Sequence, residues 1–246
     1  MRDGEKMASK VMKRNELKYL ITIEQYNKFK YYIEQYLEKD QYYKTKIKNI
    51  YYDTSDYLLI RRSIDKPIYK EKIRIRTYNE GINPNVFVEI KKKFNSVVYK
   101  RRVELPYIEA IKLLNQEEIK EENQIINEIK YFISFYNNLK PMLYLSYDRL
   151  SYYSKDDKNL RITFDFNIEW LQNKIDFVQN LPGNKILEPN YILMEIKTEM
   201  GYPLWLNEFL SNNKIYKTSF SKYGNAYKQI LEKEKEKKYG QTLDIA

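Results

Sequence analysis

The chain has 246 residues, enough for one large domain or two small ones around a buried core. Its formal net charge is +10, which points to an anionic partner such as nucleic acid, anionic lipid or a phosphate compound. It has no cysteine and no histidine, so disulfides, thiolate metal sites and the commonest general base are excluded; any metal must rely on carboxylates and substrate oxygens, a set that favours Mg²⁺ or Mn²⁺.

Residues 1–12 read as a mobile leader. A first strand is expected over 14–21, with Glu16 and Lys18 on one face and Leu17, Tyr19 and Ile21 on the other. Thr22 followed by Gln25 is a capping-box signature, and 22–37 reads as an amphipathic helix. A second strand over 46–52 closes at Asp53 in a turn or cap, and the segment from Tyr57 to Asp65 is short helix or irregular.

The next two strands are half apolar and half densely cationic. Tyr69 to Tyr78 puts Lys70, Lys72, Arg74 and Arg76 on one face and Ile73, Ile75 and Thr77 on the other. Val86 to Lys93 puts Phe87, Glu89, Lys91 and Lys93 on one face; Lys92 then points the other way, as ordinary surface. Like charges on neighbouring strands repel unless an anion lies between them. A fifth strand over 97–105 aligns Lys100, Arg102 and Glu104. Pro106 opens a helical stretch to 138 that breaks near Asn115.

A sixth strand over 142–150 carries Tyr147 and Arg149 on one face. A seventh, 160–168, sets Arg161, Thr163, Asp165 and Asn167 against Leu160, Ile162, Phe164, Phe166 and Ile168. Residues 181–185 form a turn. An eighth strand, 191–198, sets Glu195 and Lys197 against Ile192, Met194 and Ile196. Residues 203–210 form a short amphipathic helix, 219–227 a turn entering a last helix, and 232–246 a charged, fraying tail. The expected fold is α+β: an eight-stranded antiparallel β-barrel with helices packed outside and charged faces lining a tunnel. Such an interior makes sense only around a polyanion. No apolar run approaches the ~20 residues that span a membrane, so a cytoplasmic chain is expected, with docking on a membrane partner left open.

The ordered set Glu16-Leu-Lys18, Lys72-Ile-Arg74-Ile-Arg76, Glu89-Ile-Lys91-Lys92-Lys93 and Glu195-Ile-Lys197 resembles the strands of triphosphate tunnel metalloenzymes. Tyr147-Asp-Arg149, Arg161-Ile-Thr163-Phe-Asp165 and Ser219-Phe-Ser221-Lys222-Tyr223 narrow the resemblance to the VTC-type polyphosphate polymerase domain, over residues 13–231. The resemblance implies an eight-stranded tunnel that transfers the γ-phosphate of ATP onto polyphosphate with Mn²⁺ or Mg²⁺. It also implies a bacterial stand-alone form, since about a dozen residues leave no room for a preceding SPX domain. Arg14 stands where tunnel triphosphatases of the CYTH type carry the first of two alternate glutamates. That departure speaks against simple triphosphatase or cyclase chemistry.

Within that frame Arg74, Arg76, Arg149 and Arg161 are the expected clamps for triphosphate oxygens, because a guanidinium fork matches phosphate geometry. Lys222 and Ser221, at a helix-opening turn, are a further phosphate site or a plain cap. Lys18, Lys72, Lys91, Lys93, Lys100, Arg102 and Lys197 line the rest of the path, and Tyr147 either bonds a phosphate or packs. Glu195 is the leading metal ligand, with a salt bridge to tunnel lysines as its alternative; Glu16, Glu89 and Asp165 read as counter-charges. Arg149 or Arg161 could instead pair structurally with Asp148 or Asp165. Competing functions are an inorganic triphosphatase or nucleotide triphosphatase, and a non-catalytic polyphosphate- or nucleotide-binding module. A nucleic-acid binder is disfavoured: no OB, RRM or KH motif is present, and a narrow barrel would not admit a duplex.

Overall fold

The computed structural model describes residues 15–243 except 79–80, 82, 96, 173–174 and 178–181. Arg14, the leader and the start of the 181–185 turn therefore lie outside the described residues.

The strands are β1 (Asn15–Thr22), β2 (Leu37–Asp53), β3 (Tyr69–Thr77), β4 (Asn85–Phe94), β5 (Val97–Pro106), β6 (Lys140–Ser154), β7 (Arg161–Leu171), β8 (Asn184–Lys185), β9 (Tyr191–Thr198) and β10 (Lys217–Thr218). The helices are α1 (Ile23–Ile33), α2 (Leu58–Ile64), α3 (Tyr107–Leu114), α4 (Gln124–Tyr136), α5 (Leu204–Asn212) and α6 (Lys222–Leu243). All strands join one antiparallel sheet in the order β10-β1-β9-β7-β6-β2-β3-β4-β5, with β8 added to β7. The α+β class, the antiparallel sheet and the packed helices are as expected. The ring is not closed, because β5 and β10 end the strand order and do not pair. The sheet nevertheless curls, bringing Lys91 of β4 close enough to act on the charge of Glu16 of β1. The expected tunnel is thus a curled trough.

Three apolar clusters hold it. Against the outer face of β2 to β5, α3 and α4 bury Ile73, Ile75, Val88 and Ile90 with Leu113, Ile129 and Ile133. Against the outer face of β1, β9 and β7, α1 and α5 bury Ile21, Phe164 and Met194 with Phe29 and Leu206. The third lies on the inner face, where α2 and α6 bring Ile60, Tyr223 and Tyr227 against Ile47, Tyr51, Leu145, Tyr147, Ile168 and Leu193. Helices were expected outside only; here two of them plug part of the trough.

Local sequence explains most boundaries. Thr22 and Gln25 form the capping box, with bonds of 3.1 and 2.9 Å, and α1 buries Tyr26, Phe29 and Ile33. That helix stops at Ile33, earlier than expected, because Leu37 already pairs with Ser154 in the sheet. β2 is therefore longer than its expected 46–52 core, and its register breaks between Lys39 and Lys44. Pro106 ends β5 and sits one residue before α3, at the cap. Asn123 caps α4 by accepting from the Ile126 N–H at 3.0 Å. The segment expected to fray from 232 continues as helix to Leu243.

One expectation on side-chain direction is corrected. Asn167 adopts φ 48°, and β7 there carries one residue more than its partner β6. This β-bulge reverses the alternation. Ile168 and Trp170 consequently face the inner cluster, whereas strict alternation had put Ile168 with Phe164 outside.

Candidate functional site

The inner face gathers the charged halves of seven strands. Cross-strand register aligns Lys72 with Lys91 and Lys91 with Lys100, a row of three lysines over β3, β4 and β5. One step along, Arg74, Glu89 and Arg102 form the next row. On the other side, Glu16, Lys197 and Arg161 align over β1, β9 and β7, and next to them Lys18, Glu195 and Thr163. The start of α6 adds Ser221 and Lys222.

At the deepest point lies a buried ion cluster. Asp165 takes a two-pronged contact from Arg149, Nε to Oδ1 at 2.6 Å and Nη2 to Oδ2 at 2.7 Å. Lys222 Nζ reaches Asp165 Oδ2 at 2.5 Å and Glu195 Oε1 at 2.9 Å, and Arg149 Nη2 reaches Glu195 Oε2 at 3.2 Å. Burial pushes the Glu195 carboxyl up, but Lys222, Arg149, Lys18 and Lys197 together hold it well below the usual carboxylate range. Burial likewise lowers Lys222, and Asp165 and Glu195 outweigh it and leave the ammonium above its ordinary value. Tyr147 lends its ring to this cluster, 4.6 Å from Lys222 Nζ and 5.2 Å from Arg149 Cζ.

A second cluster is built on β3. Arg74 donates to Glu89 Oε2 through Nε at 2.8 Å and Nη2 at 2.7 Å, and to Tyr51 Oη through Nη1 at 3.0 Å. Glu89 also takes Lys100 Nζ at 2.7 Å. Burial raises Glu89, yet Arg74, Arg76 and Lys100 hold it far below the usual range. Arg76 is buried; it donates to Asn49 Oδ1 at 2.9 Å, Tyr147 Oη at 3.2 Å and Tyr78 Oη at 3.4 Å. Both arginines are thus fixed in place by the protein.

Lys72 lies between the clusters and differs from both. Its Nζ donates to Ser221 Oγ at 3.3 Å and sits 5.8 Å from the Tyr223 ring centre. Among the described residues no carboxylate comes within ion-pair distance of it. Burial and then Lys91, Lys70, Lys18 and Arg74 push its pKa down to about 7. Lys18 donates to the Phe220 carbonyl at 3.0 Å and stands between Glu16 and Glu195, at 3.6 and 3.7 Å. Lys197 is 3.9 Å from Glu195.

The remaining expected residues are peripheral. Arg161 is half exposed, and among the described residues the carboxylate in ion-pair reach of it is that of Asp40, at 4.0 Å. Lys91 and Arg102 are exposed, and Arg102 lies over the Phe87 ring at 4.8 Å. Lys93 faces Lys70 across the ladder. Lys92 points to the outer face, beside α4. Of the two arginines set against Asp165 as structural partners, Arg149 makes that pair and Arg161 does not.

Sequence reasoning did not single out Tyr51, Asn49, Thr163 or the Asp53–Tyr223 pair as parts of the site. The strand alternation placed Thr163 on the charged face, which was its signal; Asn49 and Tyr51 sat in a strand read for its length only.

The donor set for a divalent ion is lean. Among the described residues no three acidic side chains form a cluster. Glu195 and Glu16 do share an ammonium, that of Lys18. Two carboxylates converging on one positive charge fit a divalent ion whose other ligands come from the substrate.

Comparison with known proteins agrees with this architecture. Vacuolar transporter chaperone complex subunit 4 of Schizosaccharomyces pombe is 23% identical over 221 aligned residues, covering 72% of this chain and 30% of that protein. The chain thus spans less than a third of that relative. The crystal structure of a candidate adenylate cyclase from Bacillus halodurans superposes with a TM-score of 0.51 at 15% identity, over 85% of this chain and 96% of that one, a likeness of fold alone. The model of the VTC domain matches residues 13–231, nearly the whole length described above, and the chain belongs to the VTC domain family.

Proposed function

We propose that the trough binds a triphosphate and transfers the γ-phosphate of ATP onto a growing polyphosphate chain. The observation that carries this reading is Lys72, a half-buried lysine that faces Lys91 across the ladder, bonds Ser221 Oγ, and among the described residues has no carboxylate within ion-pair distance. A protein holds such a group at a cost unless an anion completes it. A linear polyanion suits a row such as Lys72, Lys91 and Lys100 better than a compact one.

Phosphoryl transfer asks the protein for position and charge rather than covalent chemistry. Arg74 and Arg76, held rigid by Glu89, Tyr51 and Asn49, clamp the triphosphate oxygens. Arg149 and Lys222, oriented by Asp165, face the phosphoryl group being transferred. Lys18, Lys197, Arg161, Lys91, Lys93, Lys100 and Arg102 guide the rest of the chain. The terminal oxygen of the acceptor attacks the γ-phosphorus and ADP leaves, so no protein nucleophile is required. Glu195, with Glu16, would hold Mn²⁺ or Mg²⁺, which when bound supplies further neutralisation of phosphoryl charge. No helix among the described residues is long and apolar enough to cross a membrane. The relative's name describes a complex subunit, and docking to a membrane partner in the cytoplasm is part of the proposal.

The test is purified protein with ATP and either metal, with products resolved by length on a gel. Long chains are expected. Orthophosphate alone would replace the polymerase with a triphosphatase, and tight binding with no product would leave a binding module.

A further inference from the structure

Thr163 sits in the row Lys18, Glu195, Thr163, Ser151 across β1, β9, β7 and β6. Its neighbours along the strand, Ile162 and Phe164, are fully buried in the outer cluster, so its own side chain faces the trough. It is 8% exposed, and among the described residues its Oγ1 has no hydrogen-bond partner. A buried hydroxyl left unmet is costly, and native structures rarely retain one without a use.

The acceptors around it are already engaged. Both oxygens of Glu195 face Lys222 and Arg149, and both oxygens of Asp165 face Arg149 and Lys222. Glu89 Oε1 also lacks a geometrically sound hydrogen bond, but an ammonium stands 2.7 Å from it. Among the described residues Thr163 Oγ1 has no hydrogen-bond partner of any kind. Its charged surroundings are Glu195, which is spent on other cations, and Arg161 and Lys197 in the adjacent row, which offer no acceptor.

We propose that Thr163 is a further binding residue of the trough, donating its hydroxyl to an oxygen of a bound phosphoryl chain. The inference rests on the triphosphate-binding reading above and adds a neutral donor to a site otherwise made of cations. It places the chain over β7, between the Arg149–Lys222 cluster and the rim at Arg161.

The experiment is calorimetric binding of inorganic tripolyphosphate to wild type, Thr163→Val and Thr163→Ser, with the melting temperature of each preparation. Valine keeps the shape and removes the hydroxyl. Thr163→Val should bind about tenfold more weakly, as expected for a hydrogen bond to a charged group. Its melting temperature should stay level or rise, because an unmet polar group has gone. Thr163→Ser should bind like wild type. Equal affinity for Thr163→Val overturns the proposal, and so does an equal loss in both variants. If Thr163→Val melts early, Thr163→Ser decides: retained affinity supports the role and lost affinity refutes it. Wild type that fails to bind tripolyphosphate overturns the parent reading as well, and that result is distinct from a wild type that binds while the valine variant is unaffected.

Discussion

Tyr223 donates its phenolic hydrogen to Asp53 Oδ2 at 2.9 Å, and the same carboxylate accepts the backbone N–H groups of Leu59 and Ile60 at 2.8 and 3.0 Å. One buried carboxylate therefore joins the end of β2, the start of α2 and the start of α6. Lys222 is the neighbour of Tyr223, so this joint seats the ammonium that meets Asp165 and Glu195. Tyr223→Phe should lower stability by about 1 kcal/mol and weaken tripolyphosphate binding through a looser Lys222. Thermal melting and calorimetry check both; wild-type values in each would show that the joint does not position the lysine.

The position of Lys72 gives a pH signature. Its folded pKa, about 7, lies below the ordinary lysine value of 10.5. Between those values the unfolded chain carries a proton that the folded chain lacks, so this group makes stability rise with pH across that window. A bound polyanion restores the charge, and binding near pH 8 should therefore take up protons. Lys100, which burial pushes down to about 8, adds to the same uptake. Binding heats measured in buffers of different ionisation enthalpy report the uptake, and Lys72→Met should reduce it. Proton release would contradict the assignment.

Arg149 and Arg161 should behave differently although both were read as clamps. Asp165→Ala leaves Arg149 and Lys222 short of their shared partner in a buried place, and should cost about 3–5 kcal/mol. Arg161→Ala removes an exposed side chain and should change stability by no more than about 0.5 kcal/mol. It should still weaken binding of long polyphosphate more than that of tripolyphosphate, since Arg161 lies at the rim. Urea titration of both variants, with affinities for the two ligands, tests the contrast.

Glu195→Gln separates chemistry from binding. Removing one negative charge from beside Lys222, Arg149 and Lys18 should leave triphosphate affinity equal or stronger, while single-turnover cleavage of ATP is lost and added metal does not restore it. A folded variant that cleaves at the wild-type rate would take Glu195 out of the metal site and direct attention to Glu16.

Much of this was legible because period-two alternation is a local property. Arg74 and Arg76 faced inward, Lys92 outward, and Glu195 lay among cations as the pattern required. The capping box at Thr22 was equally local. What the pattern missed was set by partners distant in sequence. β2 extends back to Leu37 because β6 is there to pair with it, through a stretch whose own residues do not alternate. Asn167 reverses the faces of β7 by a backbone excursion that residue type alone permits without requiring. The choice of Arg149 over Arg161 as the partner of Asp165 follows from direct register across the ladder. The plug of α2 and α6 inside the sheet depends on Asp53, which sequence read only as a turn or cap.

The free edges at β5 and β10 bear on how a long molecule gets in. A tube sealed by backbone ladders admits a thread only by its end. Here the two sides of the seam meet through side chains, with Lys91 acting on Glu16 across it. Parting them costs side-chain electrostatics rather than a row of backbone hydrogen bonds. If the trough takes a phosphate polymer as proposed, the middle of a chain, or a ring with no end at all, would have a way in from the side.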